Sequence, residues 1–108
     1  MLDRKDLTKR YYSISEVASL LEVAPSLLRF WETVFPTIKP VKSHRGERRY
    51  TPDVIMHLQE IYTLVKVKGY TLDGAKSALQ DARTRRKSKA ETLKKLRQIR
   101  EKLNRLLN

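Results

Sequence analysis

The residues in this sequence best equipped for chemistry are cations, and the chemistry they suit is the gripping of phosphate and guanine. Arg29 lies in the run Pro25-Ser26-Leu27-Leu28-Arg29-Phe30-Trp31-Glu32. On a helix there, its planar guanidinium makes a two-pronged contact with a guanine edge or a phosphate. Ser26 suits either a phosphate or base contact or a helix-start role. The run Lys42-Ser43-His44-Arg45-Gly46-Glu47-Arg48-Arg49-Tyr50 sets basic groups around a glycine, a composition fit to straddle a phosphodiester backbone or enter a minor groove. Lys68 and Tyr70 flank Gly69 in a smaller cluster. The plainer alternatives are an ion pair between Arg29 and Glu32 and a solvated charge cluster in the second run. Phe30 and Trp31 are adjacent and cannot share the centre of one helical face. One is expected in the core and the other exposed, with Trp31 kept among the candidate contacts. Enzymatic chemistry has little to work with: there is no glycine-rich phosphate loop, no histidine pair at metal spacing and no nucleophile–base–orienter set. His44 and His57 cannot close a zinc site alone, Cys is absent, and no metal or cofactor is expected.

Something must position these cations, and the patterning says what. Ser13 starts a first helix, with Glu16 three residues on completing a capping box and Ile14, Val17, Ala18 and Leu21 forming its apolar face. Glu22-Val23-Ala24 is the turn, and Pro25 opens a second helix running to about Val34. This pair reads as a helix-turn-helix whose second member enters a major groove. Pro36 and Pro40 end helical continuation, after which Val41-Lys42 and Arg48-Arg49-Tyr50 bracket Gly46 as a small β-hairpin wing. Thr51-Pro52-Asp53 starts a third helix with Val54, Leu58, Ile61 and Val65 facing inward and Gly69 as its stop. Thr71 caps a fourth, packed through Leu72, Ala75, Leu79 and Ala82.

Charge is uneven along the chain. Lys and Arg number 24 against 12 Asp and Glu, a formal +12 over 108 residues, which favours a polyanionic partner. Residues 51–80 are balanced, whereas residues 81–108 carry 11 basic and 3 acidic side chains. After the block Arg83 to Lys89, Leu93, Leu96, Ile99, Leu103, Leu106 and Leu107 recur at three- and four-residue spacings on an expected helix from about residue 86. An amphipathic helix with no further globular body to cover needs a partner, and a second copy of the chain is the nearest one. The expected division is an irregular arm over 1–12, a DNA-binding domain over 13–82 and a dimerising helix over 83–108. No run of 18 apolar residues and no leader-like N-terminus is present, so a cytoplasmic, nucleoid-associated protein without a membrane role is expected.

The ordered combination Leu28-Arg29-Phe30-Trp31-Glu32, Phe35-Pro36 and Gly46-Glu47-Arg48-Arg49-Tyr50-Thr51 resembles the DNA-binding domain of the MerR-type, mercury-resistance-like, transcription regulators. The likeness runs from residue 12 to about 80. It implies a mainly α, winged helix-turn-helix fold with a hairpin wing, a second helix pair whose connection is another wing, and a long C-terminal helix that pairs antiparallel in a homodimer. It also implies promoter activation, in an RNA polymerase context, by bending and untwisting an overlong spacer. By the same likeness Arg29 falls on the recognition-helix arginine, Tyr50 on the aromatic closing the hairpin, and Arg48 and Arg49 on its basic strand end. Leu27 departs from the hydroxyl residue common at its position. No effector-binding domain is expected after the C-terminal helix, and without Cys the family's thiolate sensing is excluded for this chain. Double-stranded DNA is therefore the expected partner. An excisionase-like or architectural accessory, or a protein-interaction module, is the alternative role.

Overall fold

A computed structural model describes residues 2–108. The chain falls into two compact units, one ending at Ala75 and one spanning Lys76–Asn108. In the first, strand β1 (Tyr12–Ser13) leads directly into helix α1 (Ile14–Leu21), because Ser13 ends the strand and caps the helix together. Ser13 Oγ accepts the Glu16 N–H at 3.2 Å, and the Glu16 carboxylate accepts the Ser13 N–H at 3.2 Å. Lys9 donates to the same carboxylate. That hydrogen bond, then the Ser13 N–H, holds Glu16 below the usual carboxylate range, and the same Lys9–Glu16 hydrogen bond raises Lys9. Glu22 closes α1 in the left-handed region at φ 56°, and Ala24 precedes helix α2 (Pro25–Val34) with Pro25 at its first position.

Strands β2 (Val41–Lys42) and β3 (Arg48–Tyr50) form the expected antiparallel hairpin, with Val41 opposite Arg49 and Lys42 opposite Arg48. β1 pairs with the other edge of β3, Tyr12 opposite Tyr50, giving a three-stranded sheet in the order β1-β3-β2. The N-terminal arm is thus more regular than expected. Arg4–Asp6 form a 3-10 turn, Leu7 and Tyr12 are buried, and the Leu2 N–H and C=O both hydrogen-bond the Gln59 side chain. The β1–β3 and Leu2–Gln59 pairings lie at long sequence separation, which local patterning does not disclose.

The core is built from Val17, Ala18 and Leu21 of α1; Leu28 and Trp31 of α2; Phe35, Ile38 and Tyr50; and Ile55, Leu58 and Ile61 of helix α3 (Pro52–Tyr62), whereas both residues of β2 are exposed. Burying each such aliphatic chain contributes about 1.5–3 kcal/mol relative to exposure. The inward face of α3 is formed by Ile55, Leu58 and Ile61, while Val54 and Val65 are half-buried, a correction to the sequence reading. Thr51 Oγ1 caps the Val54 N–H at 3.3 Å, and the helix then widens into a π-helical turn over Thr63–Val67. The wider turn shifts the helical phase of the residues within and beyond it, so a 3.6-residue extrapolation fails there. Gly69 stops the run at φ 73°, with the Tyr70 N–H reaching Leu64 O at 2.8 Å.

Helix α4 runs without interruption over Leu72–Leu107. The sequence pattern predicts instead a fourth helix ending near Ala82 and another from about residue 86. Residues 83–89 contain neither Gly nor Pro, and five of them are Arg or Lys, good helix formers, so nothing there breaks the backbone ladder. Thr71 caps the start, its Oγ1 accepting the Gly74 N–H at 3.0 Å. Ala75 is buried. In the second unit, the apolar residues from Leu93 to Leu107 are all exposed in the single chain.

Candidate nucleic-acid interface

The exposed side of α2 and the β2–β3 hairpin bring most of the candidate cations into one neighbourhood. Ser26 and Arg29 are exposed on α2; Lys42, His44, Arg45 and Arg49 are exposed on the hairpin. The hairpin turn is fixed by Ser43 N–H to Glu47 O and Gly46 N–H to Ser43 O, both 2.9 Å. Gly46 sits at φ 78°, a conformation other residues adopt at a cost. An open concavity of about 620 Å³ lies between β1, α2 and the hairpin, lined among others by Tyr11, Ser13, Arg29, Arg48 and Arg49.

Glu32 joins the two parts. Its carboxylate accepts Arg48 Nε at 2.6 Å and the Tyr50 hydroxyl at 2.5 Å. Tyr50 is fully buried, and burial, then the hydrogen bond to Glu32, drive its phenol well above its ordinary range, so it stays a donor throughout the physiological pH span. The nearby Arg48 and Arg29 charges oppose that shift only in part. A buried phenol and the half-buried carboxylate that accepts from it are costly to separate, about 1–3 kcal/mol for a buried group left unpaired. The hairpin is therefore tied to the helix that carries Arg29. In place of an Arg29–Glu32 pair stands Arg48–Glu32, which leaves the Arg29 side chain exposed on the face of α2.

Two candidate contacts need correction. Trp31 is 1% exposed and Tyr50 0% exposed, so both side chains belong to the core and cannot reach a duplex. Of the adjacent aromatic pair it is Phe30, at 49%, that faces outward. Arg48 is half-buried and committed to Glu32 through Nε, which makes it chiefly a positioning residue. Lys68 and Tyr70 are exposed in the turn before α4. Of the N–H groups there, those of Gly74 and Ala75 are taken by Thr71. His57 is half-buried, with Nε2 2.6 Å from Thr37 Oγ1. Leu93, Leu96, Ile99, Leu103, Leu106 and Leu107 all lie on the part of α4 that belongs to the second unit.

Sequence reading misses Glu32 as the hinge of the site and Tyr11 as part of its wall. Arg10 lies over the Tyr11 ring at 5.5 Å. The adjacency of Arg10 and Tyr11 is the available signal. For Glu32 there is none, since its partners are 16 and 18 residues away.

The model of the MerR HTH family of regulatory proteins matches residues 12–82. Among solved structures, the chain is similar to a MerR family transcriptional regulator from Bacillus cereus, at 24% identity and a TM-score of 0.58, covering 87% of this chain and 75% of that one. It is similar to a MerR family transcriptional regulator from Bacillus thuringiensis at 18% identity and TM-score 0.53, covering 89% and 93%. A third is HiNmlR, a MerR family regulator lacking the sensor domain, solved bound to promoter DNA, at 19% identity and TM-score 0.52, covering 86% and 87%. At these identities the structural likeness speaks for the fold. No curated protein matches the chain. Among the described residues no helix is long and apolar enough to cross a membrane. With the family model spanning the helix-turn-helix, the hairpin and the start of α4, and with the fold shared by known members, this chain belongs to the MerR HTH family of regulatory proteins.

Proposed function

We propose that this regulator acts as a homodimer that reads a pseudopalindromic DNA duplex, with α2 of each copy in a major groove and each hairpin on the flanking backbone. The observation that carries the reading is the exposed Arg29 beside a basic hairpin that Glu32 ties to the same helix. A DNA-bound relative of the same fold supports the choice of partner. Residues 13–82 are assigned to DNA binding and 83–108 to pairing. Bending and untwisting of a promoter, where RNA polymerase also sits, is the mode of action the family relationship favours, and DNA deformation lets two half-sites engage together. The role is regulatory rather than enzymatic, in the cytoplasm.

Arg29→Ala tests the readout. It is expected to weaken binding to the specific duplex by about 1–3 kcal/mol, the scale of one bidentate base contact, with little change on a scrambled duplex at the same salt. Equal loss on both duplexes reassigns Arg29 to backbone positioning, and no loss on either removes it from the interface.

The hairpin is tested through Arg45 and Arg49, because replacing Arg48 would also break the tie to Glu32. Arg45→Gln with Arg49→Gln should lower affinity for many sequences alike. The slope of log affinity against log salt should become shallower by about 0.9 for each phosphate that is no longer neutralised. An unchanged slope in a salt titration would show that the hairpin points away from the duplex.

A further inference from the structure

The positive charge of this protein is not concentrated where its fold reads DNA. Up to Ala75 the chain holds 12 Lys and Arg against 9 acids, whereas Lys76–Asn108 holds 12 against 3, nine of the chain's twelve net positive charges. On a helix of 3.6 residues per turn those cations are not spread evenly around α4. Lys76, Arg83, Lys87 and Lys94 follow one another at spacings of seven, four and seven, which sets them within an arc of about 40° along one side. All four are exposed. They extend over about 27 Å at 1.5 Å per residue. At the same pitch Asp81 lies about 140° and Glu91 about 60° around the helix from the centre of that arc. Glu101, which returns to the line beyond Lys94, is 4.0 Å from Arg105 and so partly offset by it.

The stripe lies roughly opposite the apolar line through Leu96 and Leu103 by the same pitch. Pairing of two copies along that line would leave it in solvent, and it is too far around the helix to serve as the charged flank of such a seam. Solubility alone asks for charge but not for its segregation from acids on one line. A linear row of cations of this length matches a duplex, which presents one phosphate per about 1.7 Å of axis.

We propose that the Lys76–Arg83–Lys87–Lys94 side of α4 is a second DNA-binding surface, one that holds the phosphate backbone of duplex DNA without regard to sequence. It rests on the reading of the chain as a DNA-binding regulator and adds an element outside the helix-turn-helix and hairpin. It supplies affinity for any duplex, while α2 supplies discrimination. Neutralising it should therefore raise the ratio of specific to non-specific binding even as total affinity falls.

The test uses the full chain carrying Lys76→Gln, Arg83→Gln, Lys87→Gln and Lys94→Gln. A control of equal charge loss on the rest of the helix carries Arg85→Gln, Lys89→Gln, Lys95→Gln and Lys102→Gln. Gln keeps helix propensity close to that of Lys and Arg, and circular dichroism of both proteins verifies the helix. Binding to a scrambled duplex is measured across a salt series, and vesicles of mixed phosphatidylcholine and phosphatidylserine serve as the competing anionic surface. The stripe variant should lose about 2–4 from the magnitude of its salt slope on the scrambled duplex, at about 0.9 per phosphate contact. The control should lose less than half as much. Equal loss in the two variants overturns the proposal in favour of a general field of the helix. An unchanged DNA slope, with or without loss of vesicle binding, overturns it as well. If the unaltered protein lacks salt-dependent affinity for any duplex, the regulatory reading itself fails; if it binds and the stripe variant binds alike, only the stripe does.

Discussion

Leu96→Glu combined with Leu103→Glu is expected to yield a monomer and to reduce affinity for a full, two-half-site duplex by about 10²–10⁴-fold while leaving half-site affinity nearly intact. Leu96 and Leu103 are 57% and 53% exposed in the single chain, on a helix whose neighbouring apolar positions Leu93, Ile99 and Leu106 are exposed too. Each Leu that a partner buries contributes about 1.5–3 kcal/mol. Two copies thus lose four such contributions, and a carboxylate forced into the seam adds its desolvation cost. The large loss on the full site arises because pairing makes the second half-site contact intramolecular. Sedimentation or mass photometry reads the assembly state, and titration of full- and half-site duplexes reads its consequence. A variant that stays dimeric with its full-site preference intact refutes the seam. A parent protein already monomeric at micromolar concentration shifts the pairing step onto the DNA.

Trp31→Ala should abolish DNA binding by unfolding the domain rather than by removing a group that touches the duplex. The indole is 1% exposed, and truncating a buried Trp costs about 3–5 kcal/mol. A domain of this size has only about 5–15 kcal/mol in total. A fall in melting temperature of about 15 °C or more is expected, at about 4–8 °C per kcal/mol. Phe30→Ala, one residue earlier and 49% exposed, should stay within about 0.5 kcal/mol of the parent in stability. Any drop in DNA affinity it causes would then report a contact made by the exposed ring. Thermal melts of both variants decide the matter: if Trp31→Ala melts like the parent and still loses binding, Trp31 touches the duplex after all.

These two residues also mark how far the sequence can be read. The capping box at Ser13, the turn at Glu22, Pro25 at the start of α2, the hairpin around Gly46 and the stop at Gly69 are local signals. Each appears in the structure where the residues put it. The exposed cations of α2 and the hairpin are legible for the same reason. What escapes is set by contacts between distant segments. Tyr12 in β1 pairs with Tyr50 in β3, Glu32 reaches Arg48 and Tyr50, and Gln59 holds the backbone of Leu2. Trp31 and Phe30 cannot be told apart from periodicity, because which side of α2 faces inward depends on where the sheet and α1 lie. The π-helical turn at Thr63–Val67 changes the phase of α3 in a way that no apolar spacing announces. The continuity of α4 is hidden by a change in composition at residue 83, which alters the surface of a helix without interrupting its backbone.

Whether this chain recognises particular duplex sequences with paired recognition helices is tested most directly by selecting bound duplexes from a random pool. The enriched site, its isolated half and a scrambled duplex are then titrated at one fixed, near-physiological salt concentration. The expected result is an enriched sequence with approximate two-fold symmetry, half-sites spaced by about one helical turn or a multiple of it, and binding at least about 10³-fold tighter than to the scrambled duplex. Enrichment of no sequence, with equal affinity for all three duplexes, would contradict paired recognition and leave a protein that binds DNA by charge alone.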